Sequence, residues 1–295
     1  MMKSSALVVG AGGQLGYELS RAAPEAMQII ALDKSQLDIT DQSAVLEHVS
    51  NSRPDWIINA AAYTAVDKAE EQSDLAYLVN RDGAANLALA AKQSGAGLIH
   101  VSTDFVFDGS KGSPYLVDDT PSPQSVYGAS KQAGDEAVLS ILSDDVTIIR
   151  TAWVYSGHGQ NFVKTMLRLM AERGELAIVA DQISTPTWAH GLAHMIWRTI
   201  DKKLTGMFHM TDAGVASWYD FAVAIYEEAK GLELLHVNQV CKIKPIRTQD
   251  YPLPAVRPPY SVLDKTQTWN ILDIEPVHWR SALRSMLREL TPSNE

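Results

Sequence analysis

Tyr127 and Lys131 stand four residues apart in SVYGASKQAGDEAV, and Thr103 closes the apolar run GLIHVST upstream. On a helix, positions i and i+4 share a face, so the phenol and the ammonium would be neighbours. The chemistry that suits this set is reduction of a ketone by hydride. That reaction creates an alkoxide, which must be protonated or stabilised. A phenol, with a reference pKa of about 10, is a reluctant acid near neutrality. A nearby ammonium and a positively charged nicotinamide favour phenolate, so a Tyr127 pKa lowered toward working pH is expected. Thr103 would hold the substrate oxygen, and Lys131 would also bond the cofactor ribose. Alone, Tyr-x-x-x-Lys says little in a chain with ten tyrosines. It gains meaning from what precedes it.

What precedes it is a glycine turn. VVGAGGQLG places glycines at 10, 13 and 16, with Gly12 extra and Leu15 where a standard dinucleotide pattern has its third glycine. Gly10 suits a tight turn out of a strand, Gly13 a close approach of pyrophosphate to backbone, and Gly16 a helix packed against the sheet. The helix N-terminus supplies donors and a positive dipole. Asp33 ends the next apolar run, 17 residues past Gly16, where an acid would accept from the adenosine ribose. An acid there repels a 2′-phosphate and favours NADH, while Lys34 offsets that repulsion. The choice between NADH and NADPH stays open. Asp38 and Ile39 could border the adenine, and Asp38 suits a helix cap or solvated turn equally well.

The elements that must position these groups follow from periodicity. Strands are expected at 6–10, 27–33, 55–62, 96–103 and 146–155, with helices at 15–23, 42–52, 73–95 (capped by Ser73, stopped at Gly95) and 125–142. Apolar strands alternating with helices imply an α/β fold with a doubly wound parallel sheet of Rossmann type. Thr103 then lies on the strand edge where such sheets bind ligands. Beyond Tyr155 the rhythm changes. Helices are expected at 161–173, 189–201, 217–231 and 278–290 and a strand at 206–212, while the Pro-rich 244–264 reads mostly as loop. We therefore expect a dinucleotide-binding domain at 1–155 and a smaller C-terminal α/β substrate lobe at 156–295, with an approximate boundary across which the chain could return to the sheet.

Composition narrows the classes. Lys plus Arg number 25 and Asp plus Glu 35, a net charge of −10, which argues against a nucleic-acid partner. One cysteine, Cys241, excludes an internal disulfide framework and fits a reducing compartment. No apolar run approaches the length of a membrane helix, and the N-terminus lacks a signal-peptide pattern. A cytoplasmic protein with no membrane partner is expected.

The ordered set of glycine turn, Thr103, Tyr127 and Lys131 resembles the extended short-chain dehydrogenase/reductase family. The blocks NAAAYTAVDKAE, NRDGAANLA, HVSTDFVFDG, VYGASKQAGDEAV, RTAWVYSGHGQNFVKTMLRLM, ISTPTW and PAVRPPYSVLD make it similar to the dTDP-4-dehydrorhamnose reductase branch over nearly the whole chain. The resemblance implies NAD(P)H-dependent reduction of the 4-keto group of a dTDP-6-deoxy-hexulose, the last step to dTDP-L-rhamnose, with Thr103, Tyr127 and Lys131 catalytic. It implies cofactor contacts at Gly10, Gly12, Gly13, Gln14, Leu15, Gly16, Asp33, Asp38, Ile39, Ala61, Ala62, Tyr63 and Ser102. It places Thr64, Val66, Asp104 and Trp153 near the sugar, although Trp153 equally suits a core position beside the fifth strand. Asn161 and Arg257 would hold the nucleotide part. For Arg257 there is also a physical reason: a diphosphate needs a cation, and AVRPPY offers one on a stiff loop.

Relatives with magnesium between carboxylates at a subunit interface imply a homodimer joined through Glu18 and Glu289. Here His190 stands where a Glu is expected, and imidazole is a poor magnesium ligand. His190 and His194 have zinc spacing but no third ligand. Two rival readings share the fold. One is a sugar-nucleotide epimerase or dehydratase, which retains NAD; a dehydratase would want a further acid–base pair, and only Asp104 is on offer. The other is a non-catalytic regulatory subunit like that of methionine adenosyltransferase.

Overall fold

The structure is a computed structural model and describes residues 4–236, 238 and 240–291. The first part of the chain runs β1 (Ser4–Val9), α1 (Gln14–Arg21), β2 (Met27–Leu32), α2 (Gln42–Ser52), β3 (Trp56–Asn59), α3 (Val66–Ala69) and α4 (Ser73–Tyr77). A π-helical turn (Leu78–Asp82) leads into α5 (Gly83–Ser94), β4 (Gly97–Thr103), a 3-10 turn (Asp104–Val106), α6 (Val126–Leu142) and β5 (Val146–Thr151). There follow β6 (Val154–Tyr155), α7 (Phe162–Glu172), β7 (Glu175–Val179), β8 (Ile183–Ser184), β9 (Thr187–Trp188), α8 (Ala189–Asp201) and β10 (Gly206–His209). The remaining elements are β11 (Ala216–Ser217), α9 (Trp218–Gly231), β12 (Lys242–Ile246), α10 (Thr266–Leu272) and α11 (Trp279–Glu289).

Six strands form one sheet in the order β10-β5-β4-β3-β1-β2, every pairing parallel. Such strands are buried on both faces, which is why they read as unbroken apolar runs. One face packs α1 and α8 through Leu19, Ile58, Ile149, Leu192 and Ile196. The other packs α2, α5 and α6 through Leu7, Val45, Ile57, Leu87 and Val138. The sheet is the expected doubly wound one. Its strand order reverses between β1 and β3, and ligands of such sheets bind in the crevice at that switch. After β5 the chain leaves the sheet, but α8 and β10 return to it, β10 pairing with β5 from Gly206 to His209. A separate core of Val163, Met166, Phe221, Ile225, Leu283 and Met286 joins α7, α9 and α11.

Local details depart from the sequence reading. Ser73 is the first residue of α4 rather than its cap; Gln72 holds the cap position without a side-chain bond. The helix expected at 73–95 is interrupted by the π turn, and it does end at Gly95 in the left-handed region. The fifth strand stops at Thr151, because Trp153 adopts a left-handed backbone (φ 44°). The Pro-rich segment begins inside β12, which pairs with β7 in parallel and places Pro245 opposite Ile178. A two-stranded sheet is all edge, so proline is tolerated there. Among the described residues no helix is long and apolar enough to cross a membrane.

Candidate active site

The turn after β1 is built by hydrogen bonds from Ala11 N to Leu32 O and from Gly13 N to Gly10 O, each 3.0 Å. Gly10 has φ +79°, and a Cβ there would lie 2.6 Å from Ala61 N and 2.8 Å from the Ala60 carbonyl carbon. The two strands flanking the switch thus meet backbone to backbone. Gly16 serves the close packing expected of it: a Cβ would lie 2.6 Å from Ala11 Cα. Gly13 caps α1, and the first-turn amides of that helix have no intrahelical acceptor.

Two cavities adjoin this turn. One, of about 580 Å³, is lined by Gly10, Gly12, Gly13, Asp33, Lys34, Asp38, Ile39, Tyr63 and Val79. The other, of about 460 Å³, is lined by Gln14, Leu15, Thr64, Val66, Ser102, Thr103, Asp104, Tyr127, Lys131, Trp153 and Arg257. Both share Gly13, Ala60, Ala61 and Ala62, so they form one groove bent around the glycine turn. The groove has the size and shape for a dinucleotide reaching from Asp33 to Tyr127, and its tight glycine turn and free helix amides suit a pyrophosphate. These residues fit a nicotinamide dinucleotide.

At the adenosine end, Asp33 Oδ1 accepts from Ser35 N (2.8 Å) and Ser35 Oγ (2.6 Å). Those bonds hold its carboxyl below the usual range and use Oδ1, while Asp33 itself lines the groove. Lys34 approaches Asp38 at 4.0 Å, so its charge is shared with that acid. Asp38 also closes an Asx turn onto Thr40 N (3.0 Å). Ile39 is buried.

At the other end, Thr103 caps the 3-10 turn, accepting from Phe105 N (3.2 Å) and donating to Asp104 Oδ1 (3.2 Å). Ser125 caps α6 by accepting from Gly128 N (3.2 Å). Gly128 presses against Phe105, its Cβ position 3.0 Å from the carbonyl carbon, and this approach sets Tyr127 beside Thr103. The phenol is not acidified. Burial pushes it up to about 12, with a hydrogen bond to Thr103 opposing and the charges of Asp104 and Asp135 adding to the rise. The protein's own groups therefore do not supply the expected lowering, to which the positively charged nicotinamide was to contribute. Lys131 shares the face of α6, but its Nζ donates to Val101 O (2.6 Å), and burial pulls it down to about 8. Asp104 is pushed up to about 6 by burial, although Ser261 Oγ (2.5 Å), Ser184 Oγ and Thr103 Oγ1 all donate to it.

Trp153 does line the cavity, stacked on Trp218 with centroids 3.5 Å apart and rings 11° from parallel. Trp218 escaped the sequence reading, since nothing local says that α9 of the second lobe reaches the groove. Arg257 is present but engaged: its guanidinium donates to both oxygens of Asp67 (3.0 and 2.7 Å). Asn161 does not line either cavity. It caps α7 through Lys164 N (3.1 Å), and its amide donates to Gln14 Oε1 (2.9 Å) and Ser156 O (2.7 Å). Asn80 was also missed. From the π turn it accepts from Tyr63 N (2.8 Å) and donates to Tyr63 O (3.1 Å) and Ser130 Oγ (2.9 Å), latching the groove wall to α6.

The residues implied as magnesium ligands do not fit that ion. Arg21 stands among them: its Nε lies 2.8 Å from Glu18 Oε2, and its Nη2 lies 2.9 Å from Glu289 Oε1 and 3.1 Å from His190 Nδ1. Ser156 donates to the other Glu18 oxygen (2.6 Å). The carboxylates already have a counter-cation, and a divalent ion would have to displace it. His190 and His194 face each other, Nε2 to Nε2 at 3.1 Å, and among the described residues no cluster of three ligating side chains forms. Adding EDTA or magnesium is accordingly expected to move the melting temperature by less than ~1 °C, because a ligand that does not bind the native state does not stabilise it. Arg21→Gln strands the buried Glu18 and costs about 2 kcal/mol. Differential scanning calorimetry checks both, and a magnesium-dependent rise in the unaltered protein would overturn the reading.

Comparison with known proteins agrees with this geometry. Residues 3–291 match the family model described as RmlD substrate binding domain. The chain is 42% identical over 284 residues to the spore coat polysaccharide biosynthesis protein SpsK of Bacillus subtilis, covering 96% of each. It is 41% identical over 288 residues to a dTDP-4-dehydrorhamnose reductase of Aggregatibacter actinomycetemcomitans, covering 95% of this chain and 97% of that one. Among solved structures, the dTDP-4-dehydrorhamnose reductase of Bacillus anthracis, in complex with NADP, superposes with a TM-score of 0.91 at 38% identity, covering 98% of this chain and all of that one. With a match from residue 3 to residue 291 and relatives this similar over almost their whole length, the chain belongs to the RmlD substrate binding domain family.

Proposed function

We propose that this protein reduces the 4-keto group of dTDP-4-dehydro-L-rhamnose to give dTDP-L-rhamnose, oxidising NADPH or NADH. The observation that carries the reading is the bent groove, in which Thr103, Tyr127 and Lys131 line the chamber just past the glycine turn. When bound, the reduced nicotinamide supplies a hydride to the keto carbon. Tyr127 Oη then gives its proton to the alkoxide oxygen, and solvent returns one to the phenolate. A phenol near 12 suits this direction. It keeps its proton at working pH and releases it only to a much stronger base. Lys131 steadies the transient phenolate and grips the ribose. Thr103 orients the substrate oxygen, exchanging its bond to Asp104 for one to the substrate.

Trp153 and Trp218 make a flat apolar wall for the sugar. Arg257, which lines the chamber with Thr64 and Val66, is the cation for the diphosphate, with Asp67 releasing part of its hold. In this division of labour, residues 1–155 hold the dinucleotide and also lend Thr64, Val66 and Trp153 to the sugar nucleotide, which the elements after 155 otherwise hold, apart from α8 and β10, which complete the sheet layer.

The test is to mix purified protein with the dTDP-4-keto-6-deoxy sugar and each coenzyme and follow the absorbance of reduced nicotinamide. Sugar-dependent consumption is the expected result. Turnover of sugar without net coenzyme consumption would instead favour an epimerase. No turnover with either coenzyme would favour a non-catalytic module.

A further inference from the structure

Behind the chamber lies a charged cluster that the reduction, as described, does not use. Asp135 sits on α6 one turn beyond Lys131 and is 2% exposed. Its Oδ2 accepts from Ser102 Oγ (2.9 Å) and lies 3.6 Å from Arg150 Nε; its Oδ1 lies 3.4 Å from His100 Nε2. His100 Nδ1 in turn meets Asn59 Nδ2 at 3.1 Å, and Asn59 Oδ1 accepts from Ala61 N (3.2 Å) on the groove wall. One carboxylate therefore ties α6 to β4 and β5 and, through two side chains, to the cofactor groove. Asp135 Oδ1, His100 Nε2 and two Arg150 nitrogens make no hydrogen bond within the protein. Charge, more than hydrogen bonding, defines their arrangement.

We propose that Asp135 is a positioning residue for the reduction: one turn along α6 from Lys131, its buried carboxylate balances the Lys131 ammonium, and its bond from Ser102 fixes the chamber floor. The inference rests on the site reading given above. Lys131 and Asp135 are i and i+4 on α6, so they share a face, and each is only 2% exposed; burial works against the Lys131 charge, and Asp135 is the carboxylate that opposes this loss. The other titratable and charged groups around Lys131 do not help it. Tyr127, on the same helix, is neutral at working pH; His100, from β4, is held neutral by burial and by Lys131 itself. Arg150, from β5, is a second cation competing for the same carboxylate. From the π turn, Asn80 is neutral; Asp104, on the 3-10 turn against α6, lines the same chamber but is not among the groups acting on Lys131. With the carboxylate gone, two cations would share a dry site, and Lys131 would shed its proton at lower pH.

The experiment is the pH dependence of kcat/KM in the full chain, with dinucleotide affinity by nicotinamide fluorescence alongside, for the unaltered protein, Asp135→Asn, Asp135→Glu and Arg150→Met. Asp135→Asn is expected to move the basic limb down by about 1 pH unit, and Asp135→Glu to restore most of it. Arg150→Met is expected to move the limb the opposite way, because Asp135 then acts on Lys131 undivided. A purely structural Asp135 would lower activity at every pH and leave the limb in place; that result overturns the proposal. If Asp135→Asn does not fold, Arg150→Met decides: an upward shift supports the proposal, and an unmoved or lowered limb overturns it. If the unaltered protein shows no sugar-dependent oxidation, the proposed reaction fails separately. Dinucleotide affinity then decides: loss at high pH that begins earlier in Asp135→Asn supports the role, and coincident curves overturn it.

Discussion

Tyr127→Phe is expected to lower kcat about a thousandfold while the affinity for reduced dinucleotide stays unchanged. In the proposed mechanism the phenolic oxygen is the acid that protonates the alkoxide, and the substitution removes that oxygen alone. The ring keeps its edge-on contact with Phe105, whose centroid is 5.6 Å away, so α6 has no reason to move. Lys131 keeps its bond to Val101 O and, on the proposed reading, its hold on the ribose. Steady-state rates and a fluorescence titration separate the two effects. Full activity in the variant would mean that another group, Asp104 or water, protonates the alkoxide.

Gly10→Ala is expected to destabilise the protein by about 3 kcal/mol or more, summing a left-handed alanine and a forced backbone shift. It should also abolish dinucleotide binding. The added methyl would meet the backbone of Ala60 and Ala61 at 2.6–2.8 Å, and backbone cannot step aside as a long side chain can. Relief would require β1 and β3 to part where the groove turns. Urea denaturation and the same titration read the two consequences. A variant as stable as the original, with intact cofactor affinity, would mean that the turn is far more pliant than its contacts imply.

The sheet was legible because each strand is a short apolar run bounded by a turn signal. Thr103, Tyr127 and Lys131 were legible because each sits on a regular element whose period fixes its face. What the chain order could not reveal came from contacts between distant segments. Trp218 reaches the groove from the second lobe, and Asn161 turns away from it to cap its own helix and tether Gln14. The part of the Tyr127 shift that the protein itself sets could not be read from spacing for a related reason. Spacing placed an ammonium nearby, but burial is the main influence on the phenol, and Lys131 points its donor at a strand carbonyl. Pro245 concealed β12, since proline argues against a strand everywhere except at an edge. Arg21 went unnoticed because only the fold brings Glu18, His190 and Glu289 around it.

The π turn at Leu78–Asp82 carries one residue more than a regular helical path between the same points. That residue sets the phase of everything before it. Deleting it would let α4 and α5 fuse smoothly, yet would rotate the upstream part by about 100°. The Asn80 amide would swing off Tyr63 and Ser130, unfastening the loop from the helix that bears the phenol. A shorter chain built on this plan would have to rivet those two pieces with a different side chain, and a one-residue gap here in an aligned relative would mark where to look for it.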